Sequence, residues 1–226
     1  MEAEYSEYFE GVKVIGFDLD QTLYPKSEEI DLAIQSYIWK KIAEKLGWSL
    51  EKAKNYFKER YPKLSASQIL VGLGFSEEEA KDVVQKALEN AEISEFLKPN
   101  PEVRRLLKEL KKRYKLSLIT SNSKENAERK LRKLEIPLNL FDFCIFAGYS
   151  KSSGEAFKVW FEHFKKAKPS LKPENFLYVG DNYFRDAKVP LSLGMKAALV
   201  NVKKKDPRLK IPQFYSLLDI GEYLKF

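Results

Sequence analysis

The 226-residue chain is 44% apolar with a net charge of +7, enough for one large core domain or a core domain with a smaller insertion. No apolar run approaches the roughly 20 residues of a membrane-spanning helix, and the start Met1-Glu2-Ala3-Glu4-Tyr5 is unlike a signal peptide, so a globular cytoplasmic protein is expected. The single cysteine, Cys144, excludes an internal disulfide. The single histidine, His163, has no second histidine or acidic cluster beside it to support zinc or Ser-His chemistry.

An apolar strand, Val12 to Phe17, runs into Asp18-Leu19-Asp20-Gln21-Thr22. Carboxylates one residue apart repel each other, so the pair is costly unless a metal ion or a lysine sits among them. Alone, such a pair also ends a strand and caps a helix; Thr22 and the apolar run before it make a chance match rare. From Ser27 to about Leu97 the pattern gives successive helices and no strand. Ile30, Ile34, Ile38, Ile42 and Leu46 line the first, which stops at Gly47; the next runs from Ser49 to Tyr61 and stops at Pro62. Ser76-Glu77-Glu78-Glu79 forms a capping box before Val83, Val84, Ala87 and Leu88. Tyr37, Trp39, Trp48, Tyr56 and Phe57, at helical spacing, read mainly as core.

Pro99-Asn100-Pro101 breaks the helical pattern, and strands then alternate with helices. Helices are expected over Val103–Lys112, Lys124–Leu134, Gly154–Lys166, Ala187–Leu193 and Ser216–Leu224. Strands are expected over Lys115–Ile119, Phe143–Phe146, Phe176–Val179 and Lys196–Val200. Such alternation makes right-handed crossovers and a Rossmann-like, doubly wound α/β sheet covered on both faces. Residues 1–23 and 99–226 would form this core and residues 24–98 a helical insertion. Between Glu102 and Glu135, 12 Lys and Arg stand against 5 Glu. With Leu106, Leu107, Leu110, Leu131 and Leu134 facing inward, these cations read as solvated helix faces; the rival reading is a regulatory protein binding nucleic acid. The Lys- and Glu-rich composition resembles that of proteins from heat-loving organisms.

Ligands of an open parallel sheet sit at the carboxyl ends of its strands. The second strand ends in Thr120-Ser121-Asn122, where hydroxyl and amide groups meet a helix N-terminus suited to phosphate. By themselves Ser121-Asn122 cap a helix more readily than they bind a ligand, and Thr120 is an alternative to Ser121. The fourth strand delivers Gly180-Asp181 and, five residues on, Asp186; acids so placed suit a magnesium site beside a phosphate.

Together these segments resemble the haloacid dehalogenase superfamily of phosphotransferases. Asp18-Leu19-Asp20-Gln21-Thr22 matches its first motif, Ser121 the second-motif hydroxyl, Lys151 the third-motif lysine with Phe157 six residues on, and Gly180-Asp181 through Asp186 the fourth. Gly194-Met195 fits the family's ending, and the insertion resembles its helical C1-type cap. Ser152-Ser153-Gly154 replaces the usual proline-containing segment after Lys151. Arg185 stands for a frequent asparagine, and Pro190 for a small residue.

The resemblance implies a phosphatase acting on a small-molecule phosphate ester. Asp18 would be the nucleophile and Asp20 the acid and base. Mg²⁺ would lie on Asp18, Asp181 and the main-chain carbonyl of Asp20. Lys151 would neutralise charge, Asp186 would orient Lys151 or a metal-bound water, Ser121 and backbone amides would hold the phosphoryl oxygens, and Thr22 would fix the loop. The family's dehalogenases lack an acid at the place of Asp20, because a departing halide needs no proton. A phosphomutase or other phosphotransferase would share every motif. Leu23-Tyr24 also resembles the superfamily's pyrimidine nucleotidases, although Tyr24 could equally pack as a hinge residue.

Overall fold

In a computed structural model that describes residues 2–25, 27–61, 63–89 and 91–224, the short apolar runs pair into a five-stranded parallel sheet, as their alternation with helices predicts. The chain divides into two units, Met1–Pro25 with Lys98–Phe226, and Lys26–Leu97. The first begins with helix α1 (Glu2–Tyr8), which the sequence pattern does not announce, and strand β1 (Val14–Phe17), two residues shorter than expected.

Among the described residues, the regular elements of the second unit are all helices: α2 (Glu28–Leu46), α3 (Leu50–Arg60), α4 (Ala66–Gly72), α5 (Glu77–Glu89) and α6 (Ala91–Glu95). Gly47 ends α2 with φ of 63°, a left-handed conformation that glycine adopts without a steric penalty. Ser49 caps α3; the stop expected at Pro62 lies outside the described residues. At α5 the capping box forms, with Glu79 N–H donating to Ser76 Oγ at 3.1 Å and Ser76 N–H donating to Glu79 Oε2 at 2.7 Å. Ile30, Ile34, Ile38 and Ile42 are buried, as are Trp39 and Phe57, whereas Tyr37, Trp48 and Tyr56 are only partly covered.

The first unit resumes with α7 (Pro101–Lys111), β2 (Lys115–Ile119), α8 (Lys124–Lys133), β3 (Phe143–Ile145), α9 (Glu155–Ala167), β4 (Phe176–Gly180), α10 (Lys188–Ser192) and β5 (Lys196–Leu199). Pro101 opens α7, where its missing N–H has no intrahelical partner to lose. The helix expected from Ala187 is preceded by a single π turn, Tyr183–Ala187. The expected C-terminal helix is a 3₁₀ segment, Leu217–Glu222, in which Gly221 disfavours α-helix.

The strand order is β3-β2-β1-β4-β5 with every pair parallel. Central β1 therefore has β2 on one side and β4 on the other, and the connections leave it in opposite directions, the arrangement that opens a crevice at the carboxyl edge. Every residue of β1 and β4 is buried, so both faces of the sheet are covered. On one face Phe157, Trp160 and Phe164 of α9 pack with Val14, Phe176 and Tyr178. Trp160 Nε1 donates to Ser117 Oγ at 2.9 Å, which satisfies both buried polar groups. At the β5 edge, the Tyr8 hydroxyl donates to Ala197 O and accepts from Ala197 N–H. Among the described residues, no helix is long and apolar enough to cross a membrane.

Gly16 lets the rings of Trp160 and Tyr178 lie directly on β1, since a Cβ there would sit 2.9 Å from atoms of both. Gly16→Ala is expected to destabilise the protein by about 1–3 kcal/mol through overpacking; urea denaturation monitored by circular dichroism checks it.

Candidate active site

β1, β2 and β4 end side by side, with Phe17 opposite both Leu118 and Val179, so the residues just beyond them converge. Oxygens of Asp18 after β1, Asp181 after β4 and Asp186 in the π turn all lie within 4.8 Å of one another. Lys151, on the loop before α9, joins them: its Nζ lies 3.0 Å from Asp18 Oδ2 and 2.8 Å from Asp186 Oδ1. The Tyr178 hydroxyl stands 3.4 Å from the same Nζ and donates to Ile119 O. Gly180 is required by this packing, because a Cβ there would overlap the Asp186 side chain. The carboxylate of Asp186 also accepts the Asn182 N–H at 3.0 Å. The wider winding of the π turn accommodates this inward acid.

Asp20 has a separate set of partners. Its Oδ1 accepts from Lys130 Nζ at 2.6 Å and from the Tyr24 hydroxyl at 2.5 Å, and its Oδ2 accepts from Asn122 Nδ2. Asn122 is itself buried, with its Nδ2 also on Thr120 Oγ1 and its Oδ1 accepting from Lys130 and Asn126. The Asn122 side chain is thus committed to Asp20 and its neighbours. Thr120 Oγ1 is likewise buried under two donors from Asn122, while Ser121 between them is half-buried. Thr22 is fully buried, and its hydroxyl has no hydrogen-bond partner among the described residues. The loop is shaped by Gln21 in a left-handed conformation, φ 58°, and by Asn201, whose amide donates to the carbonyls of Gln21 and Thr22.

The two aspartates of the first motif are pushed in opposite directions. Burial raises the pKa of Asp18; Lys151 pulls it back, repulsion from Asp186 and Asp20 adds to it, and it settles at about 6. Asp181, raised by burial and by Asp18 and Asp186, reaches about 7. For Asp20 burial also acts upward, but the charge and hydrogen bond of Lys130, with the hydrogen bonds from Tyr24 and Asn122, hold it below the usual carboxylate range. The Lys151 ammonium, which burial would lower, is raised by Asp18 and Asp186. Carboxylates this close, short of positive charge and offering only oxygen, are a donor set suited to a hard divalent cation such as Mg²⁺.

Lys130 is the residue that sequence reasoning missed. Most lysines of the basic stretch are solvent-facing, but Lys130 is fully buried and paired with Asp20. Its signal was the spacing of Asn126 and Lys130, polar residues at i and i+4 on one face of α8, four and eight residues after Asn122. Tyr24 is buried with its hydroxyl on Asp20, and Arg185 faces the acidic cluster electrostatically, its Nε buried and without a hydrogen-bond partner among the described residues. Cys144 is half-buried, and burial pushes its thiol up to about 11, which leaves it inert. His163 stacks on Phe143 with ring centroids 3.8 Å apart.

Residues 12–194 match the family model for haloacid dehalogenase-like hydrolases. The chain is 28% identical over 233 residues to Phosphate metabolism protein 8 of Saccharomyces cerevisiae, covering 93% of this chain and 71% of that protein. Its fold is similar to that of a HAD phosphatase from Thermococcus onnurineus, with a TM-score of 0.60, 20% identity, and 94% and 98% of the two chains covered. It is also similar to a 2-haloacid dehalogenase from Pseudomonas syringae pv. Tomato DC3000, with a TM-score of 0.53, 23% identity, and 94% and 98% covered. The same fold therefore serves both chemistries, and the side chains must choose between them.

Asp18 and Asp181 bind protons more tightly folded than at the ordinary value of 3.8, so the stability they contribute is present below about pH 4 and lost as pH rises through about 6 and about 7. In chelator-treated protein, Asp181→Asn should raise the melting temperature above wild type near pH ~8 and leave it unchanged near pH ~4. Differential scanning calorimetry at the two pH values measures this; a lower melting temperature near the alkaline value contradicts it.

Proposed function

Since the chain belongs to the haloacid dehalogenase-like hydrolases, we propose that it is a Mg²⁺-dependent phosphatase of a small-molecule phosphate monoester, working through an aspartyl phosphate on Asp18. The observation that carries this reading is Asp20. A carboxylate two residues beyond the nucleophile, held by three donors, is of no use to a departing halide and is what an alkoxide leaving group needs.

Asp18 attacks phosphorus, and the bond to the ester oxygen breaks as Asp20 hands that oxygen a proton. Asp20 then takes a proton from the water that attacks the aspartyl phosphate, so one group serves both half-reactions. Although Asp20 is held as a carboxylate in the free protein, a phosphate ester brings negative charge beside it and raises its proton affinity. Lys151, 3.0 Å from Asp18, balances charge that gathers on the phosphoryl oxygens, and Asp186 keeps that ammonium in place. Ser121 and the backbone N–H groups ahead of α8 hold those oxygens, while Asn122 serves Asp20. Asp18, Asp181 and the main-chain carbonyl of Asp20 would hold Mg²⁺, which when bound draws negative charge off the transferring phosphoryl group. The helical unit Lys26–Leu97 occupies the place in the chain where the family inserts its cap.

Purified protein is expected to release phosphate from an aryl phosphate with Mg²⁺ and to stop on chelation. Asp20→Ala should lower kcat/KM for an alkyl phosphate by about 10²–10⁴-fold and much less for an activated aryl phosphate, which leaves without a proton. Equal losses on the two esters would remove Asp20 from the role of acid.

A further inference from the structure

The interior of the sheet unit contains a second buried lysine, and catalysis as described leaves it unused. Lys130 has no solvent exposure, whereas the Asp20 side chain it grips is 16% exposed. The cation is therefore buried more deeply than the acid. An ammonium taken wholly out of water is costly, and a buried ion pair is commonly no more stabilising than apolar residues of the same size. Stability alone gives little reason for a lysine here.

The hydrogen bonds suggest what it does. Asp20 Oδ1 is occupied twice, by Lys130 and Tyr24, while Oδ2 has the Asn122 amide alone. A carboxylate oxygen has about two lone-pair positions, so Oδ2 keeps one open and Oδ1 does not. Lys130 also bonds Asn122 Oδ1 at 3.0 Å, which turns the Asn122 amide so that its Nδ2 meets Oδ2. One ammonium thereby fixes both oxygens. Asn126 and Lys130 on α8 carry this arrangement to Asn122 in the loop before the helix, with Asn126 Nδ2 donating to Asn122 Oδ1 at 2.6 Å.

We propose that Lys130 is a positioning residue for proton transfer, locking Oδ1 of Asp20 so that Oδ2 is the oxygen presented to the ester oxygen and later to water. This rests on Asp20 as the acid and base of the proposed phosphatase. In this role Lys130 contacts the side chains of Asp20 and Asn122 and acts on the reaction through them.

The test compares wild type, Asp20→Ala, Lys130→Met and the double variant with Mg²⁺, on an alkyl phosphate and an activated aryl phosphate. Lys130→Met is expected to lower kcat/KM for the alkyl phosphate by about 10-fold or more, to act mainly on kcat, to affect the aryl phosphate less, and to add nothing to Asp20→Ala. A loss that is equal on both esters, or that multiplies with the Asp20→Ala loss, overturns the proposal. If Lys130→Met alone does not fold, Asp20→Asn/Lys130→Met removes both charges of the pair and is compared with Asp20→Asn. Equal kcat/KM supports the proposal, and a further loss in the double variant overturns it. A wild-type protein inactive on both esters overturns the phosphatase reading and this one with it, whereas active wild type with unchanged Lys130→Met overturns this one alone.

Discussion

Three carboxylates, Asp18, Asp181 and Asp186, press on one buried ammonium, Lys151, and that imbalance of charge organises the structure around it. Holding like charges within a few ångströms requires rigid support from several directions. Parallel pairing of β1 with β2 and β4 supplies it, because the three strands end level and none of their residues can shift without breaking register. Gly180 makes room for Asp186, the π turn directs it inward, and Tyr178 backs Lys151 from within the sheet. The negative charge left over is what a divalent cation would neutralise.

The two aspartates of the first motif are separated by a single residue in sequence and differ in environment because each has its own lysine. Lys151 shares itself between Asp18 and Asp186 and offsets the burial of Asp18 only in part, so that carboxyl stays raised, at about 6. Lys130 gives its charge to Asp20 with help from Tyr24 and Asn122, and Asp20 is lowered. In the free protein this order is the reverse of what a nucleophile and a general acid need; under the proposed reading a divalent cation on Asp18 would lower that carboxyl and a phosphate ester beside Asp20 would raise the other. Both lysines are almost wholly buried, so solvent screens neither interaction strongly.

Much of the sheet was legible in the sequence because fully buried parallel strands are short, nearly continuous apolar runs; Lys115–Ile119 was read to the residue. The clustering of Asp18 with Asp181 was legible because residues just beyond neighbouring parallel strands converge, and Asp186 because it follows Asp181 by five residues. Lys151, by contrast, could be picked out only by its spacing to Phe157. Lys130 was hidden by its company: in a stretch rich in lysine, one that turns inward looks like the rest, and its partner Asp20 lies 110 residues away. The π turn was equally hidden, since it depends on the inward pull of Asp186 and on no local propensity. Helix α1 owes its place to distant contacts as well, Tyr5 packing edge-on against Phe214 and Tyr8 bonding Ala197.

The most direct test of the central claim, that this cluster makes Asp18 a nucleophile toward phosphorus, is to quench the protein with borohydride during turnover of an aryl phosphate with Mg²⁺ and map its peptides by mass spectrometry. An acyl phosphate is reduced where a free carboxylate is not, so position 18 should be recovered as homoserine, and only when substrate is present. Phosphate release with Asp18 unmodified, or reduction at another acid, would contradict the claim.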